Sequence, residues 1–357
     1  MRKRLVLSIV FVLSLLLLAA CGGSNTTSES SDDTKVSSSD SEEKIVLKFA
    51  DYFPNTHFMS IHGTQAWVEK VEELTEGQIE IDFYPGEQLG KGADTLDLVR
   101  TGLADIGNVS QGYVSGTMQL SSVVSLPGLM ESVPQSTKAS FDLISSSPVL
   151  EQDFLNNGVR PLLSYTSTSY EFWTTKQPIK TVDDLKGLKI RTSGGSANIH
   201  IEAVGATPTS ISAPEQYEAL ERNVIDGTLF TINSIPSYNL QEVVNYSTVG
   251  AGGGPNLGLV FINEEVWQSI PEHLQEKMLE ATEIVLEEFS NAMAEEGERI
   301  MEEYKASGDI EFIEVDSEEF REAATPVIDD WIEENEGKGL PAQEALEKYK
   351  EFLEKHK

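Results

Sequence analysis

Residues Asp183-Asp-Leu-Lys-Gly-Leu-Lys-Ile-Arg-Thr-Ser-Gly-Gly195 decide how this chain is read. Gly187 supplies a turn, residues 188–191 read as a short strand, and Ser193, Gly194 and Gly195 open a loop of small residues. An apolar strand therefore ends in an arginine just where the backbone becomes bare. A guanidinium there offers a fork of donors that matches a carboxylate. Burying it alone is costly, so Arg191 needs an anion, either an acid of the protein or a ligand. Beyond residue 4 the other arginines are Arg100, Arg160, Arg222, Arg299 and Arg321, and most of them fall in helices with solvated charges around them.

Outward from this strand, the chain alternates between two periods. Strands are expected at 45–50, 79–84, 105–109, 159–165, 170–174, 225–230 and 257–262, from two-residue alternation or short apolar runs. Helices are expected at 59–75, 93–101, 135–157, 196–204, 214–222, 317–334 and 341–357. A long acidic helix runs over 264–305 and is interrupted near Pro271. This order predicts an α/β fold with mostly parallel sheets flanked by helices. No repeat and no long linker divides it, which predicts two lobes joined by several short crossings. Ligands of such lobes bind outside the carboxyl ends of the strands.

The N-terminus is of a different kind. Met1-Arg-Lys-Arg4 is basic, residues 5–18 are an apolar run too short for a membrane-spanning helix, and Leu18-Ala-Ala-Cys21 follows. This order is that of a bacterial lipoprotein signal, with residues 1–20 removed and Cys21 lipidated. Residues 21–43 are Ser, Thr, Asp, Glu and Gly with almost nothing apolar, and are expected to form a disordered tether to the membrane. Cys21 is the only cysteine of the 357 residues, so no intrachain disulfide is possible.

Charge and motifs remove several functions. A net charge of −33 argues against nucleic acid as a partner. G-x-S-x-G, H-E-x-x-H, GxxxxGK[ST] and a G-x-G-x-x-G after a strand are all missing. The five histidines are scattered, and His57 and His62 lack metal-ligand spacing. Neither a cofactor nor a catalytic function is expected.

The stretch Asp184-Leu-Lys-Gly-Leu-Lys-Ile-Arg191 is followed in order by Val204-Gly-Ala-Thr-Pro208, Glu215-Gln-Tyr-Glu-Ala-Leu220 and Val224-Ile-Asp-Gly227. Phe83-Tyr-Pro-Gly-Glu-Gln-Leu-Gly90 and Gly102-Leu-Ala-Asp-Ile-Gly107 precede it. Together these segments resemble the solute-binding proteins of tripartite ATP-independent periplasmic (TRAP) transporters, of the dicarboxylate-binding (DctP) type, from about residue 45 to the end. The resemblance implies a two-lobed, type II periplasmic-binding-protein-like fold with a long helix spanning both lobes. It also implies a cleft that closes on a small organic carboxylate, and delivery to a small and a large membrane subunit driven by an ion gradient. The expected division is 45–168 with 258–300 in the first lobe and 169–257 with 301–357 in the second. The expected receptor is extracytoplasmic, lipid-anchored and monomeric.

By the same resemblance Arg191 is the carboxylate clamp, and Tyr52, Ser110, Gln111, Glu171, Ser193, Asn198 and Phe230 line the cleft. Asp51 and Tyr113 also align with it, and Phe53 follows Tyr52 out of the first strand. Two departures bear on the ligand. Ser169-Tyr-Glu-Phe-Trp-Thr174 lacks the second arginine that many members carry, and Asp226-Gly-Thr-Leu-Phe230 puts Phe230 where many have a polar contact. These changes predict a ligand with one carboxylate and an apolar or cationic remainder, such as an amino-acid derivative or an aromatic or branched monocarboxylate. A binding protein serving a sensor kinase or an ATP-driven importer, and an extracytoplasmic enzyme, are the competing readings.

Overall fold

The computed structural model describes residues 44–357; the expected leader, the tether and Cys21 lie outside the described residues. The chain builds β1 (Ile45–Asp51), α1 (Ala66–Leu74), β2 (Ile79–Tyr84), α2 (Thr95–Arg100), β3 (Ile106–Ser110), α3 (Val133–Ile144) and β4 (Val159–Thr166). It then leaves that sheet and builds β5 (Glu171–Thr174), β6 (Lys189–Thr192), α4 (Ser196–Ala203), β7 (Thr207–Ser210), α5 (Gln216–Glu221), β8 (Gly227–Phe230) and β9 (Tyr246–Val249). It returns through β10 (Leu257–Asn263), continues as α6 (Glu264–Ser269) and α7 (Glu272–Ser307), and adds β11 (Glu311–Glu314) to the second group. Helices α8 (Ser317–Ala324), α9 (Pro326–Glu336) and α10 (Ala342–Lys355) end the chain.

Two sheets result, one ordered β2-β1-β3-β10-β4 and the other β11-β9-β5-β8-β6-β7. The architecture is the two-lobed α/β fold that the alternation predicts. The sheets are more mixed than expected. β1 runs parallel to β2 and β3, but β10 is antiparallel to β3 and β4, and β5 is antiparallel to β8 and β9. β5 and β10 both enter directly from the other lobe, without the crossover helix that makes neighbouring strands parallel. β10 is buried along nearly its whole length, as a central strand covered on both faces must be.

Helix α7 joins the lobes. Its 36 residues extend about 54 Å at 1.5 Å per residue. Leu274, Met278, Val285 and Phe289 pack into the core around β1 and β10, whereas Ile300 and Tyr304 pack into the core around β6 and β8. Pro271 at its N-cap separates α6 from α7, and Gly308 in a left-handed conformation stops it. Where the helix passes between lobes, the Asn233 amide donates to the Met293 carbonyl at 2.9 Å. Thr168, on the β4–β5 crossing, donates to Asn233 Oδ1 at 2.8 Å.

The C-terminus departs from the division read from sequence, which gave 301–357 to the second lobe. Leu346, Tyr349 and Leu353 of α10 pack in the core that holds Val109, Leu143 and Phe261. Tyr349 Oη meets Ser136 Oγ of α3 at 2.8 Å. The apolar stripe of α10 is satisfied by the open face of α3, and sequence order alone does not say which lobe offers such a face.

Candidate functional site

The carboxyl ends of β1, β3, β6 and β8 converge on one chamber between the lobes. Tyr52 follows β1, Ser110 ends β3, Arg191 is the penultimate residue of β6 and Phe230 ends β8. Ser193 and Asn256 complete its polar side, and Phe53, Tyr113, Tyr170 and Tyr238 its aromatic side. Its water-accessible space is about 20 Å³, far below that of a typical small-molecule site, so its walls lie nearly closed on one another.

Arg191 is 1% exposed, and it owes its position to register. β6 pairs with β7 and β8 so that Arg191 stands beside Thr209 and Thr228. Its Nε donates to the Ile211 carbonyl at 2.8 Å and its Nη2 to Tyr113 Oη at 3.3 Å. The Phe230 ring lies under the guanidinium, 5.2 Å from its carbon, and supplies a cation–π contact. Nη1 is buried without a partner. Among the described residues no carboxylate pairs with Arg191 within salt-bridge distance. A buried guanidinium stripped of its partner costs about 3–5 kcal/mol, so an anion brought to Nη1 would be favoured.

The lobes meet at this arginine. Tyr113, in the turn after β3, accepts from Arg191 and also from the Ala213 N–H at 2.6 Å. Burial pushes the Tyr113 phenol up, and the Arg191 charge pulls partly against it. Gly112 and Ser193 touch across the cleft, where a Cβ on Gly112 would lie 2.5 Å from Ser193 Oγ. Gly194 has φ +109°, and a Cβ there would lie 2.7 Å from the Gly112 carbonyl oxygen, so both features require glycine. Ser110 Oγ donates to Asn256 Oδ1 at 2.6 Å, tying β3 to the segment that leads into β10.

Other residues expected in the cleft do different work. Glu171 is not among the residues that line the chamber. Its carboxylate accepts from Thr248 Oγ1 at 2.5 Å and from the N–H groups of Gly250 and Ala251 at 3.0 and 3.2 Å. Burial raises its pKa while these three donors oppose the rise. Glu171 thus braces the loop that carries Asn256, because backbone donors reach it first. Asn198 accepts from Thr192 Oγ1 at 2.5 Å and lines an outer recess with Glu87 and Lys91. Gln111 donates to the Met118 carbonyl at 2.7 Å and lines an adjoining chamber with His200, Ser193 and Asn256. Asp51 lies beneath the chamber, accepting from Phe53 N–H, Thr64 and Asn108 at 2.9, 2.6 and 2.8 Å, and so fixes the turn that presents Tyr52 and Phe53.

His57 is buried against Phe53, ring centroids 4.1 Å apart, and its Nδ1 accepts the Met59 N–H at 3.1 Å. Burial pulls its pKa down to about 3, so the imidazole is neutral. Met59, Tyr170, Ser234, Tyr238 and Asn256 line the chamber and escaped sequence reasoning. The aromatic density of Tyr170-Glu-Phe-Trp173 and the Ser234-Ile-Pro-Ser-Tyr238 turn after β8 were the available signals.

Comparison with known proteins agrees with this fold. The family model of bacterial extracellular solute-binding proteins, family 7 (DctP), matches residues 49–335. The chain is 26% identical over 303 residues to the C4-dicarboxylate-binding periplasmic protein DctP of Rhodobacter capsulatus, covering 82% of this chain and 87% of that one. It is 26% identical over 274 residues to the sialic acid-binding periplasmic protein SiaP of Vibrio cholerae, covering 72% and 80%. A TRAP periplasmic solute-binding protein from Bordetella bronchiseptica, solved with bound (R)- and (S)-mandelate, superposes with a TM-score of 0.79 at 26% identity, covering 88% of this chain and 100% of that one.

Proposed function

This chain belongs to the bacterial extracellular solute-binding proteins of family 7, and from that membership we propose that it is the receptor of a TRAP transporter whose cargo is an aromatic monocarboxylate. Relatives of similar identity bind a C4-dicarboxylate, sialic acid and mandelate, so an acid is common to them and the remainder of the ligand differs. The chamber supports the choice of remainder. Arg191 is the sole cation among the described residues that line it, and no acid lines it. One carboxylate is therefore matched, a second has no partner, and a cationic tail has none either. Tyr52, Phe53, Tyr170 and Phe230 offer ring faces to what remains.

The carrying observation is the buried Arg191 with Nη1 open inside aromatic walls. The carboxylate joins Nη1 of the second lobe while the rest of the ligand rests on Tyr52 and Phe53 of the first. A ligand held by both lobes binds the closed arrangement better than the open one, and that difference drives closure. The receptor is anchored through a lipid on Cys21, hands its cargo to a small and a large membrane subunit, and acts as a monomer without catalysis.

The test is a thermal-shift screen of the purified protein against phenylacetate, benzoate, mandelate, succinate and malate. A ligand at a hundred times its dissociation constant adds about 2.7 kcal/mol of stability. Stabilisation by the aromatic monoacids that vanishes in Arg191→Lys is expected, since lysine lacks the planar fork. Stabilisation by the diacids alone would sink the proposal.

A further inference from the structure

Tyr238 is the second unpartnered polar group of the chamber. It ends the turn Pro236–Tyr238 that follows β8, and Asn239, in a left-handed conformation, fixes the turn behind it. Its side chain is 8% exposed and lines the same chamber as Arg191. Its hydroxyl is buried with no hydrogen-bond partner. The ring is held on two sides, 5.3 Å from the His57 imidazole and 6.1 Å from the Phe230 ring. On those sides the hydroxyl finds no acceptor: His57 Nδ1 is taken by the Met59 N–H, which leaves the proton on Nε2, itself buried without a partner, and the Phe230 ring has none. Burial keeps the phenol protonated, so it is a donor as well as an acceptor.

Phe230 connects the two open groups, with the Arg191 guanidinium carbon 5.2 Å from its centroid and the Tyr238 ring 6.1 Å from it. A ligand that gives its carboxylate to Arg191 and lies along Phe230 arrives at Tyr238. A buried hydroxyl left without a partner is a penalty that an aryl ligand lacking a polar substituent would retain. Sites built to hydrogen-bond a ligand oxygen discriminate strongly against the analogue that lacks it.

We propose that Tyr238 is a specificity-determining residue that hydrogen-bonds a second oxygen, a hydroxyl or carbonyl, carried by the aromatic acid, so that the receptor selects oxygen-substituted aryl carboxylates over their unsubstituted parents. This rests on the aromatic monocarboxylate reading of the chamber.

The experiment is calorimetric titration of the wild-type protein and of Tyr238→Phe with phenylacetate, its three ring-hydroxylated isomers and mandelate. At least one oxygen-bearing acid is expected to bind about tenfold to a hundredfold more tightly than phenylacetate. Tyr238→Phe removes one atom and brings that ratio close to one, by weakening the oxygen-bearing acid and relieving phenylacetate of the unpartnered hydroxyl. A variant that weakens phenylacetate and the hydroxylated acids alike would place the phenol on the carboxylate and overturn the proposal, as would an unchanged ratio. If no aromatic acid binds the wild-type protein, the underlying reading falls and takes this one with it. If the aromatic acids bind and depend on Arg191 but the ratio ignores Tyr238, this inference alone fails.

Discussion

The hydroxyl of Tyr113 in the first lobe accepts a hydrogen bond from Arg191 of the second at 3.3 Å. It takes another from the Ala213 N–H, also of the second lobe, at 2.6 Å. The residue proposed to bind the ligand's charge is thus also one that links the two lobes. Tyr113→Phe removes both contacts and leaves a backbone N–H and a guanidinium without their acceptor. Each such loss costs about 1–3 kcal/mol when buried, so affinity for the carboxylate is expected to fall by about tenfold or more. Calorimetry gives the affinity, and small-angle scattering should show a larger population of open molecules in the ligand-free variant. An unchanged affinity would mean that the contact forms without contributing to closure.

Gly112 and Ser193 meet only when the lobes are together. A Cβ on Gly112 would lie 2.5 Å from Ser193 Oγ and 3.0 Å from its carbonyl carbon. Gly112→Ala should leave each lobe intact and penalise the closed arrangement alone. The ligand-free melting temperature is expected to stay near that of the wild type, while affinity drops about tenfold, or about 1.4 kcal/mol. A lower melting temperature with normal affinity would place the clash inside the first lobe.

These two contacts show what the sequence made legible and what it did not. Arg191 was readable because its chemistry and its place at a strand end before Ser193-Gly194-Gly195 are both local features. Tyr52, Ser110, Ser193 and Phe230 were readable with it, since they lie at or next to strand ends that share one face of the molecule. Tyr238 and Asn256 were not, because each reaches the chamber from an irregular turn whose direction depends on the other lobe. Glu171 was misplaced for a tertiary reason: the donors of Gly250 and Ala251, about 80 residues further on, capture its carboxylate. The lobe assignment of α10 failed likewise, since its apolar stripe fits any open helical face and α3 offers one.

Glu171 gives a prediction that separates bracing from binding. Glutamine at 171 keeps one acceptor but turns an amide toward backbone N–H groups that now meet a carboxylate. Glu171→Gln is expected to lose about 1–3 kcal/mol of stability in urea unfolding and to bind aromatic acids as the wild type does. A selective loss of affinity at unchanged stability would return Glu171 to the site.

Asp153 carries a pH dependence whose sign can be worked out. Its carboxylate is buried and accepts the N–H groups of Leu120 and Ser121 at 3.2 and 2.7 Å. Desolvation outweighs these donors and raises its pKa from 3.8 to about 6. A carboxyl with a raised pKa favours the folded state when protonated, so its contribution is complete below pH 3.8 and is lost as the pH rises through about 6. At 1.36 kcal/mol per unit, the swing is about 3 kcal/mol. Asp153→Asn cannot titrate and leaves one of the two N–H groups facing an amide, so it should be the less stable protein at pH 4. Its deficit should shrink as the pH is raised to 6.5, because only the wild type loses the Asp153 contribution over that range. Urea unfolding of both proteins at half-unit steps measures the difference directly, with every other carboxylate common to the pair. A deficit that stays constant would show that the 119–121 stretch solvates the Asp153 charge fully, and a deficit that grows with pH would show that the charged form is the one the fold was built to hold.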